Sequence, residues 1–571
     1  MYLRKVKNRK TGRIYLSIVQ SYRDKDSKKP KSITIKSLGY LDDLEKEYSD
    51  PIAFFSNEIA LMNKQRAEES SPINLSFCKN ERISTDFTNR KNFGFTALSK
   101  IYHELKINKF LANRQHANKE YSTDSVMKLL IFSRLLYRTS MKKAYENRDI
   151  FFEESDFSLI DMYKGLSFLN KHQEALKLWL YEHIRTLYKH STKPVYYWLT
   201  DYCFGIGEPD GMRKKKISEK YPLNLILQMG LFTDANGIPV NYKLFPQDVS
   251  DKTVLISVPR KIQKDYLLER IIIVADESKT TADNILNILK DGNGYMLNCS
   301  VRDADKNFQD YVLDKRGYVN IGDGVKVKSR VHSREISTTA ANGKKIKKFV
   351  DEKQVIFYSS KYALRAKHER ALVLAKAGNL IGRPARNNET ASCGTCRYVQ
   401  NLAFDSGTGE IPGTVGQLFT VDEEKLREEE KFDGYFAVIT SEYRESSDKI
   451  IKIFKNIGKI EEFFKVAKSD FENRTDKLLL RERIGVHFLI CFVSLAIIKI
   501  LQQRLKGKHS VTAMLKSLSK ACCSHIKENY YLFDFYNDVL EDIGKELNID
   551  FGKKIMTFGD IKKIIGDSKK V

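Results

Sequence analysis

The chain has 571 residues, which at the usual domain size predicts about three or four structural units and excludes a single small module. Lys and Arg number 98 against 73 Asp and Glu, an excess of +25 that points to a polyanion, nucleic acid first, as partner. A disordered basic protein is excluded, because 42% hydrophobic and 11% aromatic residues with only 11 Pro supply ample surface to bury.

Residues 1 to about 40 alternate apolar and polar side chains, as in Arg13-Ile14-Tyr15-Leu16-Ser17-Ile18-Val19 and Ser32-Ile33-Thr34-Ile35-Lys36-Ser37, which predicts a small antiparallel sheet. Twelve Lys and Arg fall within the first 36 positions, Arg4, Lys5, Lys7, Arg9, Lys10 and Arg13 among them, against Asp24 and Asp26. With Tyr2, Tyr15 and Tyr22 interleaved, this is a candidate DNA-contacting face, the alternative being a merely solvated charged surface. No apolar core or cleavage site follows Met1-Tyr2-Leu3-Arg4-Lys5-Val6-Lys7, so no secretory signal is expected and the protein should stay in the cytoplasm.

From about 45 to 190 the periodicity is helical, for instance over Val126–Leu136 and Ala175–Leu180, and no catalytic constellation occurs there. After Pro194, the runs Val195–Thr200, Leu223–Phe232 and Ile238–Phe245, the last two joined by Asp234-Ala235-Asn236-Gly237, predict a three-stranded meander. A helix is expected near 251 to 266, and Arg270–Asp276 is a continuous apolar run ending in a carboxylate, as in a strand buried on both faces. Thr280 or Thr281 then caps a helix. Residues 295 to 435 predict short strands and loops with a helical piece near 361 to 376. The strand Gly434–Thr440 and helices at about 446 to 468 and 478 to 503 follow. The longest apolar stretch, Phe488–Ile498, is shorter than the roughly 18 residues of a membrane span and predicts a buried helix, so no membrane partner is expected.

Standard nucleotide-loop and zinc-protease signatures are absent, and Gly205-Ile206-Gly207 has no glycine three residues on. Eight cysteines, mostly isolated, fit reduced thiols. Cys393-Gly394-Thr395-Cys396 has no second pair nearby, and Cys522, Cys523 and His525 lack zinc-site spacing. The more useful signal is Asp276 at the end of a buried strand together with the segment Ile460–Lys468. There, Glu461 and Lys468 are seven residues apart with Lys465 between them, and so share a helix face. That arrangement suits a metal-binding acid beside cations for a phosphate backbone. An ordinary amphipathic helix with i,i+4 ion pairs has the same pattern.

The segments Gln228–Phe232, Phe245–Thr253, Ile271–Asp276, Phe432–Glu442, Ile460–Lys468 and Arg483–Cys491, taken in this order, resemble a bacterial insertion-sequence DDE transposase of the insertion-sequence-four superfamily. The resemblance implies a mixed α/β chain with an RNase H-like core and a β-rich insertion. The implied layout is a basic β-rich DNA-binding module (1–45), a helical domain (46–190), the first part of the core (191–294), the insertion (295–433), the second part of the core (434–505) and a basic C-terminal helical tail (506–571). It implies that three carboxylates hold two Mg²⁺ or Mn²⁺ ions for cutting and joining DNA strands, with Asp276 and Glu461 as metal ligands and Lys468 as the phosphate-contacting lysine. It also implies double-stranded DNA as partner, a homodimer bridging two ends, and a cytoplasmic, nucleoid-associated location. The chain departs from that pattern at the first carboxylate, where Trp198 stands. Asp201, the nearest substitute, lies three residues on and should face the other side of the strand unless it bulges. Phe454, Ile457 and Gly458 replace the family's Tyr, Arg and Trp, removing a phosphate-gripping guanidinium. Two functions follow from this: a transposase that binds and cleaves element ends, or a catalytically inactive DNA-binding protein derived from one.

Overall fold

The computed structural model describes residues 1–8, 12–23, 30–70, 76, 80, 82, 89–115, 121–153, 155–188, 193–204, 214–216, 224–246, 249–277, 280–322, 324–339, 345–381, 399–400, 420–464 and 477–570. By contact density the chain divides into two compact units, Met1–Phe87 and Thr88–Val571. The helix Pro51–Ser70 therefore belongs with the N-terminal sheet, and the boundary falls beyond the expected residue 45.

In the first unit, β1 (Tyr2–Lys7), β2 (Ile14–Arg23) and β3 (Pro30–Tyr40) form an antiparallel sheet with β2 central, followed by α1 (Leu41–Leu44) and α2 (Pro51–Ser70). The β2–β3 register shifts at Leu16/Ser17 and again at Ile18/Val19. These irregularities break the simple alternation, and Leu16, Ile18 and Val19 are all buried, with Phe55 and Ile59 of α2 also in the core. The Met1 amino group donates to Asn63 Oδ1 at 2.6 Å, tying the chain start to α2.

The second unit opens with β4 (Arg90–Asn92) and a helical region: α3 (Phe95–Glu104), α4 (Ile107–Ala112), α5 (Thr123–Tyr137), α6 (Met141–Glu146) and the long α7 (Leu159–Tyr188). The predicted meander follows as β5 (Val195–Phe204), β7 (Asn224–Thr233) and β8 (Pro239–Phe245), with a short β6 (Lys214–Lys216) beside β7. The β7–β8 turn is held by Asp234 Oδ1, which accepts from the Asn236 and Ile238 amides at 3.0 and 2.6 Å. Gly237 supplies the φ of +82° that the turn needs. After α8 (Val258–Asp265) come β9 (Ile271–Asp276), α9 (Ala282–Lys290) and β10 (Gly294–Cys299). Thr281 caps α9, its Oγ1 accepting from the Asn284 amide at 3.2 Å.

The region expected as an insertion contains α10 (Lys306–Leu313), β11 (Val319–Gly322), β12 (Val325–Thr339), β13 (Lys345–Ser359), α11 (Ser360–Ile381), the short pair β14 (Val399–Gln400) and β15 (Thr420–Val421), and α12 (Glu423–Glu430). Strand β16 (Tyr435–Thr440) leads to α13 (Ser447–Phe463) and α14 (Lys477–Arg504). The central sheet runs β11-β12-β13-β16-β10-β9-β5-β7-β6, with β8 also on β7. The long β12–β13 hairpin therefore widens the core sheet through β16 instead of standing apart from it. Strands β5, β9 and β10 are mutually parallel.

Both faces of this sheet are covered. On one face Tyr196, Trp198, Ile272, Val274, Met296 and Val438 pack in the same core as α14, α7, α5 and α3, while on the other Val195, Tyr197, Ile271, Ile273 and Leu297 pack with residues of α8 and α9. Helix α14 is apolar all round, as a central helix must be. Its span Glu482–Arg504 is long and apolar enough to cross a membrane, yet its most apolar stretch is buried in the protein. The sequence understated this span because His487 and Lys499 interrupt the apolar run while being buried themselves.

The C-terminal segment is more than a helical tail. Between α15 (Val511–Lys520), α16 (Asp538–Leu547) and α17 (Phe558–Ser568) it carries β17 (Cys522–Lys527), β18 (Tyr530–Phe533) and β19 (Ile555–Thr557). These pair in the order β19-β18-β17-β4, so the end of the chain closes a sheet with residues 90–92.

Candidate functional site

The parallel strands β9 and β10 end side by side next to β5, and ligand clefts in α/β sheets lie at such carboxyl ends. In β9 the residues Ile271–Val274 are buried, Ala275 is half-buried and Asp276 emerges exposed. Asp276 Oδ1 accepts from Asn298 Nδ2 at 3.1 Å, its neighbour in the β9–β10 register. The Asp276 carbonyl accepts from Thr280 Oγ1 at 3.1 Å, which closes the turn toward α9.

Helix α13 forms the opposing wall. Its Ile450, Ile453, Ile457 and Ile460 are buried at three- to four-residue spacing, which fixes the helix rotation. Phe454, Lys455 and Glu461 are thereby brought to a cleft of about 320 Å³, together with Trp198, Asp276, Asn298, Phe357, Tyr362 and Phe436. Glu461 Oε1 accepts from Thr200 Oγ1 at 2.7 Å, joining α13 to β5. Arg134 Nη2 donates to the Phe463 carbonyl at 2.9 Å, where a cation complements the helix C-terminus. Tyr202, two residues beyond Thr200, is held protonated by its burial and by the Glu461 charge.

Asp276 and Glu461, far apart in sequence, thus line one cleft, and Trp198 is on its floor at 3% exposure. The Trp198 Nε1 donor is buried without a hydrogen-bond partner among the described residues, a cost of about 1–3 kcal/mol. Asp201 does not join them. The β5–β7 ladder runs from Tyr196 to Phe204 without a register shift, so no bulge turns Asp201 back. It accepts instead from Gln228 Nε2 at 3.0 Å, one step out of phase with Trp198 and Thr200.

Among the described residues, no group of three or more His, Cys, Asp or Glu side chains is placed to hold a metal ion. Two carboxylates with an indole in the third position do not fit the three-carboxylate Mg²⁺ or Mn²⁺ centre that the resemblance implies. Among the described residues a zinc site is not assembled either: His525 Nε2 is engaged with the Glu528 carbonyl at 2.7 Å, and Cys522 Sγ with the Ser519 carbonyl at 3.3 Å. Lys465, Lys468, Cys393 and Cys396 lie outside the described residues.

In the N-terminal unit Arg4, Lys5 and Lys7 are exposed along β1, while Arg9 and Lys10 lie outside the described residues. Arg13 differs from the reading as a phosphate contact. It donates to Asp42 at 2.6 Å and to Asp43 at 2.5 Å and stacks over Tyr40 at 4.1 Å. Its charge is committed to fastening β2 to α1. Sequence reasoning also missed Thr200, the partner of Glu461, and the cleft residues Asn298, Phe357, Tyr362 and Phe436. The regular alternation of β5 and β10 carried a signal for the first two, while the others reach the cleft only through sheet order.

Residues 3–73 match the family model of an insertion-sequence transposase N-terminal domain. That model is described as the IS1634 family transposase N-terminal domain, and the match lies wholly within the first unit. No curated protein matches the sequence. Among solved structures, the chain is similar to piggyBac transposase in its synaptic complex with hairpin DNA, at 7% identity and a TM-score of 0.31 over 84% of this chain and 85% of that one. A score of that size does not define a shared fold.

Proposed function

We propose that this protein is a DNA-binding relative of insertion-sequence transposases of the insertion-sequence-four DDE superfamily, whose cleft no longer serves metal-dependent strand cleavage. The observation that carries the transposase reading is the family match over residues 3–73. An RNase H-like core is supported by strand order. Counted along the chain as β5, β7, β8, β9 and β10, the core strands lie third-second-first-fourth-fifth, the first three antiparallel and the first, fourth and fifth parallel. Loss of cleavage is argued from Trp198 at the position of the first carboxylate and from Asp201 on the other face. The +25 charge and the exposed Arg4, Lys5 and Lys7 supply the electrostatics for double-stranded DNA. A homodimer and a nucleoid-associated cytoplasmic location remain part of this reading.

The test is binding and cleavage on duplexes carrying the terminal sequences of the protein's own element. Binding should weaken steeply with salt, and the Arg4→Ala/Lys7→Ala double variant should lower the salt slope by up to about 2, roughly one per phosphate contact removed. Cleavage by the native protein with Mg²⁺ or Mn²⁺ that disappears in Asp276→Ala would overturn the inactive-cleft part of the proposal. Salt-insensitive binding would overturn the DNA part.

A further inference from the structure

We propose that the outer face of α2 packs against the same face of a second copy of this chain, antiparallel about a two-fold axis, and is a homodimer contact. The inference rests on the homodimer part of the proposed reading and names its surface.

One face of α2 sends Phe55 and Ile59 into the core of the first unit. The opposite face carries Ala53, Phe54, Asn57, Ala60 and Leu61, all exposed, with Phe54 at 49% and Leu61 at 62%. The Phe54 ring already rests against Tyr48 and Phe55 at centroid distances of 4.7 and 5.2 Å, so part of its freedom is spent before docking.

Charge selects the occupant. None of these five side chains is ionised, and Glu58, next to them on the helix, stands beside Lys36 at 3.9 Å. In a chain of net charge +25 such a stripe lets two copies meet without repulsion. By contrast, the exposed Leu364 and Leu372 of α11 lie among Lys361, Arg365 and Lys367, and the exposed Phe349 of β13 follows Lys347 and Lys348. A second copy on either of those would set cation against cation.

Spacing selects the arrangement. Phe54 and Leu61 are seven residues apart, two turns or about 10.5 Å along the axis, and so are Ala53 and Ala60. An antiparallel copy centred between Asn57 and Glu58 sets Phe54 of each chain against Leu61 of the other. Asn57 then meets Asn57 at the axis, where each amide donates to the other's oxygen. Ala53 and Ala60 let the backbones approach, and opposed helix dipoles favour the antiparallel sense. The four large side chains expose on the order of 400 Å² of apolar surface, short of the roughly 1,200 Å² of a standard interface. The solution dimer is therefore weak, on the order of 10 µM, and tightens where one DNA holds two copies at high effective concentration.

Sedimentation equilibrium of the full chain from about 1 to 100 µM, alone and with duplex DNA, is expected to show monomer and dimer in exchange. Phe54→Glu/Leu61→Glu should weaken the dimer by at least about a hundredfold, since each change counts twice in a symmetric contact, with the unfolding midpoint and duplex binding per chain kept. Cysteine crosslinking under mild oxidation, with the unaltered chain as background for its native thiols, tests the arrangement without disturbing the apolar residues. Antiparallel pairing leaves position 57 about 1.5 Å from its mate along the axis and position 53 about 13.5 Å, out of disulfide reach. Asn57→Cys should therefore crosslink two chains and Ala53→Cys should not. Equal crosslinking of both would overturn the antiparallel arrangement. A dimer that survives the glutamates, or Asn57→Cys that forms no crosslink, would overturn the α2 face and leave the homodimer reading standing. A chain that stays monomeric throughout, alone and on duplex, would overturn both.

Discussion

Replacing Trp198 with Asp places a third carboxylate on the face of β5 that carries Thr200, two residues from the Glu461 contact and beside Val274 of β9. Removing an almost fully buried indole costs at least about 3–5 kcal/mol. About 1–3 kcal/mol of that is returned, because the unpartnered Nε1 donor disappears. The variant is therefore expected to be about 0–4 kcal/mol less stable without divalent ions, and crowding of three carboxylates adds to the loss. An ion bound by the completed set restores stability by mass action, about 2.7 kcal/mol at a hundredfold excess over Kd. Urea unfolding of Trp198→Asp and the native protein, with and without saturating Mn²⁺, measures both effects, and electron paramagnetic resonance counts bound Mn²⁺ directly. The reasoning is refuted if the variant binds no more Mn²⁺ than the native chain and gains no more stability from it. Adding Asp201→Ala to the variant should leave the Mn²⁺ response unchanged, because Asp201 faces the other way.

Burial pushes the Asp234 carboxyl up from 3.8 to about 6, against the opposing amides of Asn236 and Ile238. An acid raised in the native state takes its proton before the unfolded chain does, so stability should increase as pH falls from about 6 toward 4 and be lowest above 6. Asp234→Asn keeps the Oδ1 acceptor, and should flatten that window and stabilise the protein at pH 7 by up to about 3 kcal/mol, at 1.36 kcal/mol per pH unit. Identical pH–stability curves for the two proteins would contradict this. A Cβ on Gly94 would meet the backbone oxygen of Leu518 at 2.1 Å. Gly94→Ala should thus cost more than about 2 kcal/mol by forcing the β4 region from α15, and an unchanged urea midpoint would show that the two segments part freely.

Much of the core was legible along the chain because its signals are local. The alternation of 195–245 and the Asp234–Gly237 turn specify the meander, since a strand's two faces repeat every second residue. The apolar run Ile271–Val274 ending in Asp276 announces a strand buried on both faces with a carboxylate at its end. Residue spacing also placed Asp201 out of phase with Trp198, and the unbroken β5–β7 ladder bears that out. The C-terminal segment resisted such reading because β17 closes on β4, more than four hundred residues earlier, and pairing at that distance leaves no periodicity in either strand alone.

What the sequence by itself determined is the chain's charge and the residues from which the cleft is built. The +25 charge and its concentration near the N-terminus point to a polyanion whatever the fold, because net charge is a property of composition. The side chain at position 198 is likewise fixed before folding. Only the tertiary structure decided what these residues do together. It set Trp198, Asp276 and Glu461 on one cleft, committed Arg13 to Asp42 and Asp43, and brought Phe357, Tyr362 and Phe436 to the same wall. Sheet order and helix rotation place those side chains, and both arise from long-range packing that no local pattern contains.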